Sequence, residues 1–291
     1  MRVVVAMSGG VDSSVAAALL AEQGHDVIGV SMQLYDQTTA DSRGDQLRPF
    51  GTCCTIDDLY DARRVAAAIG IPHYILNFES QFDTHVVSNF VREYAGGRTP
   101  IPCAHCNSDL KFSALLDRAR AFGADVLATG HYARVDEAPA GSFRLRRGTD
   151  ASKDQSYFLF SLTQEQLSRA VFPVGHLDKG DVRLHARRLQ LRVADKPDSQ
   201  EICFVPDGDY ASFVEEHAPH APRTGTLVSA TGAVLGTHNG VHRFTIGQRK
   251  GLGLSSTAPL YVLEIRPDER EVVVGPREAL NHTRLTASGV N

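Results

Sequence analysis

The sequence predicts an α/β protein: a parallel sheet with helices between its strands, joined to a smaller β-rich domain. Two observations carry this. In the first part of the chain, short apolar β-rich runs alternate with longer helical patterns, the arrangement that gives parallel sheets. From about residue 206 the helical periodicity fades, and short β runs separated by glycine turns take over. A length of 291 residues with 42% hydrophobic content is enough for one large or two ordinary cores.

Taken in order, strands are expected over 2–7, 27–34, 73–77 and 125–129, and helices over 11–23, 55–69, 79–93 and 107–121. The later β runs are 226–228, 233–236, 261–265 and 271–274. This divides the chain into 1–205, 206–280 and a short remainder, 281–291, read as the start of a further domain. In an open parallel sheet the ligand lies beyond the carboxyl ends of the strands. Ser31 and Met32 lie in one such strand, and Thr129-Gly130-His131 comes at the end of another.

Composition narrows the function classes. No stretch approaches the roughly 18 apolar residues of a membrane span, and the first strand begins at residue 2, leaving no room for a leader. A cytosolic protein without a membrane partner is expected. Five cysteines in such a chain read as metal ligands, catalytic thiols or buried fillers and not as a disulfide framework. The net charge of −4 argues against bulk nucleic-acid binding, but its distribution is uneven. No Asp or Glu lies between His217 and Leu263, while Arg223, Arg243, Arg249 and Lys250 do, which suggests a face for a phosphate backbone.

The most specific motif is Ser8-Gly9-Gly10-Val11-Asp12-Ser13-Ser14, placed at a strand-to-helix turn. Two glycines let backbone N–H groups approach phosphate oxygens, and the helix aims its amides and positive dipole end at the anion. Ser8, Ser13 and Ser14 add hydroxyl donors, and Asp12 suggests a bridging Mg²⁺ because a carboxylate is a poor neighbour for bare phosphate. No Gly-Lys-Ser/Thr follows, so the spacing is not that of a P-loop. It resembles the PP-loop of the ATP pyrophosphatases, which implies a Rossmann-like sheet and cleavage of ATP between its α and β phosphates.

The cysteines suggest what is adenylated. Cys103 and Cys106 form Cys-Ala-His-Cys in a loop stiffened by Pro100 and Pro102, just before the helix expected near Asn107. A thiol at a helix N-terminus has its thiolate stabilised, so Cys106 is a candidate nucleophile. The pair also fits a redox couple or half a zinc site. Cys203, between Ile202 and Phe204, reads either as a core residue or as a catalyst. Cys53 and Cys54 are adjacent, so their side chains diverge; they are taken as structural.

Over nearly its whole length the chain resembles the bacterial tRNA-specific 2-thiouridylases, the MnmA family. The resemblance rests on residues 8–14, Cys53-Cys54, the cysteine loop 99–107 with Lys111-Phe112, Ala128 to Tyr132, Lys153 to Phe158, Lys196 to Phe204 and Gly247 to Gly253. It implies an enzyme that uses ATP to replace the C2 oxygen of the wobble uridine of tRNA with sulfur. It implies further that Ala6, Met7, Ser8, Gly9, Gly10, Val11, Asp12, Ser13 and Met32 contact ATP and that Gly130 lies at the nucleotide. Lys153, Asp154 and Gln155 would touch tRNA, and Ile101, Pro102 and Cys103 would meet the target base. Cys106 matches the nucleophile, and Cys203 matches the cysteine that carries persulfide sulfur, supplied by a relay protein or a cysteine desulfurase. A PP-loop thiolase acting on another tRNA base is the alternative.

The chain departs from the family in two respects. Much of the family has Asp where Cys103 stands, and full-length members continue into a β-barrel domain beyond the point where this chain stops. The cysteine at 103 opens two expectations. Either Cys103, Cys106 and Cys203 hold a [4Fe–4S] cluster with one open iron, or Cys106 and Cys203 work as a persulfide and disulfide relay with Cys103 outside it.

Overall fold

The computed structural model describes residues 1–35, 55–139, 141–198, 202–205, 208–219, 224–288 and 290. Cys53, Cys54, Arg223 and the segment Ser199-Gln200-Glu201 lie outside the described residues. The chain forms two units, the first made of Met1–Val86 and Pro102–Gly208, the second of Val87–Ile101 and Asp209–Val290.

In the first unit, β1 (Arg2–Ala6), β2 (Asp26–Gln33), β3 (His73–Asn77) and β4 (Val126–Thr129) form a parallel sheet with bounds close to those expected from the apolar runs. The hairpin of β5 (Ala133–Glu137) and β6 (Phe143–Arg147) follows, and β7 (Ala170–Val171) closes the sheet in the order β3-β2-β1-β4-β7. Val3, Val4 and Val5 are all buried, as in a strand covered on both faces. Burying each is worth about 1.5–3 kcal/mol relative to exposure. Helix α1 (Val11–Glu22) packs on β1 and β2, and helix α2 (Ile56–Ile69) on β2 and β3. Ala16, Ala17 and Ala18 are buried in α1, and such small side chains let the helix lie close to the strands. Thr55 and Asp58 form a reciprocal cap at the start of α2, and Gly70 ends it in the left-handed conformation. Helix α3 (Lys179–Arg188) contributes only Val182 and Ala186 to the core.

The strand order reverses direction about β1, with β2 on one side and β4 on the other. That is the topological switch point of an open sheet, and both the 8–14 loop and Gly130 lie at its carboxyl end.

Two helices differ from expectation. The helix predicted over 107–121 begins at Pro102 and continues as Pro102–His105, Cys106–Leu115 and Leu116–Ala121. Proline suits a first helical position because no N–H is needed there. The pattern over 79–93 is divided, with Ser88–Ala95 belonging to the second unit.

In the second unit, β8 (Gly225–Ser229), β9 (Val234–His238), β10 (Tyr261–Arg266) and β11 (Glu271–Gly275) form a sheet in the order β10-β11-β8-β9. Leu227, Val241, Phe244, Val262, Val272 and Val274 make its core. Ser88–Ala95 packs beside Tyr210–His217: Phe90 meets Phe213 edge-on at 6.0 Å, and Tyr94 stacks on Tyr210 at 4.6 Å.

Candidate active site

The loop after β1 is shaped by its glycines. Gly9 has φ +76°, and a Cβ there would lie 2.2 Å from the carbonyl oxygen of Asp58 in α2. At Gly130 a Cβ would lie 2.4 Å from the Ser13 nitrogen. Both positions therefore need glycine for the loop to fit between α2 and the end of β4. Helix α1 begins at an N-cap glycine, Gly10, which offers no side-chain cap. Its first-turn amides are left for an external acceptor, and the helix dipole favours an anion. Ser8 is exposed at this end. The Ser13 hydroxyl accepts from the Ser8 amide at 3.2 Å and donates to the Gly10 carbonyl.

Two lysines brace this loop against the rest of the unit. Lys196 Nζ donates to the Gly9 carbonyl (3.1 Å), Asp58 Oδ1 (2.7 Å) and Asp61 Oδ2 (2.7 Å). Burial works to lower the Lys196 pKa, but the two carboxylates outweigh it and hold the ammonium above its usual value. Lys179, whose side chain is only 12% exposed, reaches both oxygens of Asp12 (2.8 and 2.9 Å) and Asp198 Oδ1 (2.7 Å). Tyr132 donates its hydroxyl to Asp12 Oδ1 at 2.8 Å. Burial and the facing Asp12 push this phenol far above its ordinary range, so it remains a donor. Lys153 completes the group on Asp198 Oδ2 at 2.7 Å. Burial alone would raise the Asp198 carboxyl; its hydrogen bonds from Lys153 and Lys179 hold it below the usual range. Asp12, from the loop, and Asp198, five residues before Cys203, thus share one ammonium.

Sequence reasoning missed Lys179 altogether. Its signal was the Asp178-Lys-Gly-Asp181 helix start, where Asp178 Oδ1 accepts from the Asp181 amide at 2.8 Å.

The remaining expected residues fall as follows. Met7, Val11, Ser14 and Met32 are buried, so any contact they make with a nucleotide runs through the backbone; the Ser14 hydroxyl donates to Gly10 O at 2.8 Å. Ala6 ends β1 half-buried. Asp154 accepts from the Gly148 and Ser156 amides, and Gln155 Oε1 accepts from the Tyr132 amide at 3.0 Å, so these side chains shape the turn after the hairpin. Pro102 is buried and Ile101 is half-buried. Arg249 and Lys250 are exposed in the second unit, whereas Arg243 is paired with Glu215.

Cys103 is exposed, and Cys106 and Cys203 are half-buried. Because the helix starts at Pro102, Cys106 opens its second turn, where the dipole's effect on a thiolate has already fallen off. Among the described residues no three His, Cys, Asp or Glu side chains are gathered to hold a metal ion. No cluster site is therefore seen at Cys103, Cys106 and Cys203 among these residues. Asp12 has oxygen donors of the kind Mg²⁺ takes. Lys179 and Tyr132 engage three of its roughly four acceptor positions, so an ion fits only if Lys179 shifts.

Residues 1–207 match the family model described as the tRNA methyl transferase HUP domain, and residues 211–276 match the one described as the tRNA methyl transferase PRC-barrel domain. The chain is 53% identical over 290 residues to the tRNA-specific 2-thiouridylase MnmA of Geotalea uraniireducens (strain Rf4), covering 100% of this chain and 77% of that protein. It is 54% identical over 290 residues to the tRNA-specific 2-thiouridylase MnmA of Geobacter metallireducens, covering 99% and 78%. Among the described residues no helix is long and apolar enough to cross a membrane.

Proposed function

Because this chain belongs to the tRNA-specific 2-thiouridylase family, we propose that it uses ATP to replace the C2 oxygen of the wobble uridine in tRNA with sulfur. The observation that carries the reading is the glycine loop and uncapped helix at the switch point, tied through Lys179 to the Asp198 segment that leads to Cys203. A methyl transfer, the term in the family descriptions, has no use for a pyrophosphate cradle.

The C2 oxygen attacks the α phosphorus of ATP, pyrophosphate leaves, and the uridine carries AMP as a leaving group. The first-turn amides of α1 and Ser8 hold the phosphates, with Gly130 and the backbone of Met32 beside the nucleotide. Asp12 would hold Mg²⁺, which when bound supplies charge neutralisation at the departing pyrophosphate. The terminal sulfur of a Cys203 persulfide then attacks C2 and AMP departs. The Cys106 thiolate attacks the Cys203 sulfur, releasing 2-thiouridine and leaving a Cys106–Cys203 disulfide for an external dithiol to reduce. These steps balance without an iron–sulfur cluster, because the persulfide supplies the sulfur and the Cys106–Cys203 pair supplies the two electrons. A relay protein carrying persulfide, or a cysteine desulfurase, would load Cys203.

A stacked base hides C2, so the uridine must be flipped into the site and shielded from water. Ile101, Pro102 and Cys103 would border it, and Lys153, Asp154 and Gln155, with Arg249 and Lys250, would meet the rest of the tRNA. The compartment that fits is the cytoplasm. The test is mass spectrometry of nucleosides from tRNA incubated with the protein, ATP and a sulfur source. An oxygen-to-sulfur exchange at uridine is expected. A methylated nucleoside, or unchanged tRNA with no pyrophosphate formed, would overturn the reading.

A further inference from the structure

Tyr157 and Phe160 lie in and just after the short helical turn Ser156–Leu159, with 63% and 57% of their surfaces exposed. Phe160 is the only described phenylalanine classed as exposed. Two large rings facing water on a well-anchored turn call for an occupant. The anchoring is specific: buried Asn107, next to Cys106, donates from Nδ2 to the Phe158 carbonyl at 2.9 Å and accepts from Lys111 Nζ at 2.9 Å. Leu159, between the two rings, is fully buried. The turn packs against the helix Pro102–His105 that carries Cys103 and against β6, which carries Arg144, Arg146 and Arg147. Asp136 engages Arg144 and Arg146, while the Arg147 side chain is 87% exposed and makes only a long ion pair, 3.9 Å, with Asp154.

Exposed rings on a turn that adjoins the cysteine-bearing helix and an arginine-bearing strand suit unpaired RNA, whose splayed bases stack on aromatic faces while arginine meets the phosphates. We propose that Tyr157 and Phe160 form a stacking platform for unpaired bases of the anticodon loop, holding the loop while its uridine reaches Cys106, with Arg147 on the adjoining phosphate. This rests on the tRNA-thiolating reading and adds to it the surface that grips the loop.

The experiment measures the affinity of the full chain for an unmodified tRNA transcript and for an RNA duplex without a loop. Tyr157→Ala and Phe160→Ala should each weaken tRNA binding by about 5- to 150-fold, the range of one lost base stack. Duplex binding and ATP affinity should stay at wild-type values, the latter also reporting that the variants fold. Tyr157→Phe and Phe160→Tyr, which keep a ring, should restore tRNA affinity. Wild-type affinity in both alanine variants, or equal loss for tRNA and duplex, overturns the platform while leaving the thiolation reading in place. A wild-type chain that binds no tRNA overturns that reading and the platform with it.

Discussion

The phosphate-loop end of the first unit and its cysteine-bearing segments are organised differently. Around the loop, Asp12, Lys179, Asp198, Lys153, Asp58, Asp61 and Lys196 are linked by short ion pairs, and the glycines fit between neighbouring elements with no room for a side chain. Around the thiols, Cys103 is exposed and Cys106 and Cys203 are half-buried. The difference suits a two-step reaction. Adenylation needs fixed dipoles that are in place before charge develops. Sulfur transfer needs thiols that an incoming sulfur donor and the flipped base can both reach.

The sharpest way to break this contrast is to cut each half separately. Asp12→Ala should lower pyrophosphate release roughly a hundredfold or more while tRNA binding persists. Cys203→Ser should keep pyrophosphate release and abolish thiolation. Loss of pyrophosphate release in Cys203→Ser would mean that the two halves are one machine. A smaller effect is expected at the ammonium they share. Lys179→Ala removes a charge-assisted contact, and a tenfold to hundredfold rise in the KM for ATP is expected, on the order of 1.5–3 kcal/mol. A changed kcat at constant KM would place Lys179 elsewhere in the cycle.

Lys196→Ala tests the brace as a matter of stability. It leaves the buried Asp58 without its cation and should cost about 2 kcal/mol, a fall of roughly 4–8 °C in the melting of the first unit. An unchanged Tm would show the loop to be held by packing alone. The smallest effect concerns pH. Burial, and secondarily Lys111, holds His131 well below the ordinary histidine range. The unfolded chain therefore binds a proton at this residue as pH falls through about 6.5 while the folded chain does not, so stability is complete above that pH and declines below it. Tm measured from pH 8 to 5 should fall less steeply in His131→Asn than in the wild type. Equal slopes would assign the dependence to other histidines held low by burial, such as half-buried His73 and buried His238.

The legibility of the molecule followed its hydrophobic patterning. Strands β1 to β4 are short apolar runs bounded by turns and were readable nearly to the residue. The β5–β6 hairpin was not, because Asp136, Arg144 and Arg146 hold it together by charge across the strands and break the apolar alternation. Helix α3, with two buried residues in a charged sequence, gave no periodic signal, and Lys179 was lost with it. The 8–14 motif announced a phosphate site because glycine pairs at strand ends have few other uses. Its partners come from 167 and 187 residues away, and single lysines carry no signal of that kind.

The pairing of Ser88–Ala95 with Tyr210–His217 also has a consequence during synthesis. Phe90 and Tyr94 leave the ribosome about 120 residues before the rings they pack on. At bacterial translation speeds that is a delay of roughly 6 to 24 s. Throughout it the nascent chain carries two aromatic side chains whose permanent neighbours do not yet exist, a span long enough for a chaperone to hold them. The first unit runs to Gly208, so this segment stays unsettled for as long as the remainder of that unit is being made.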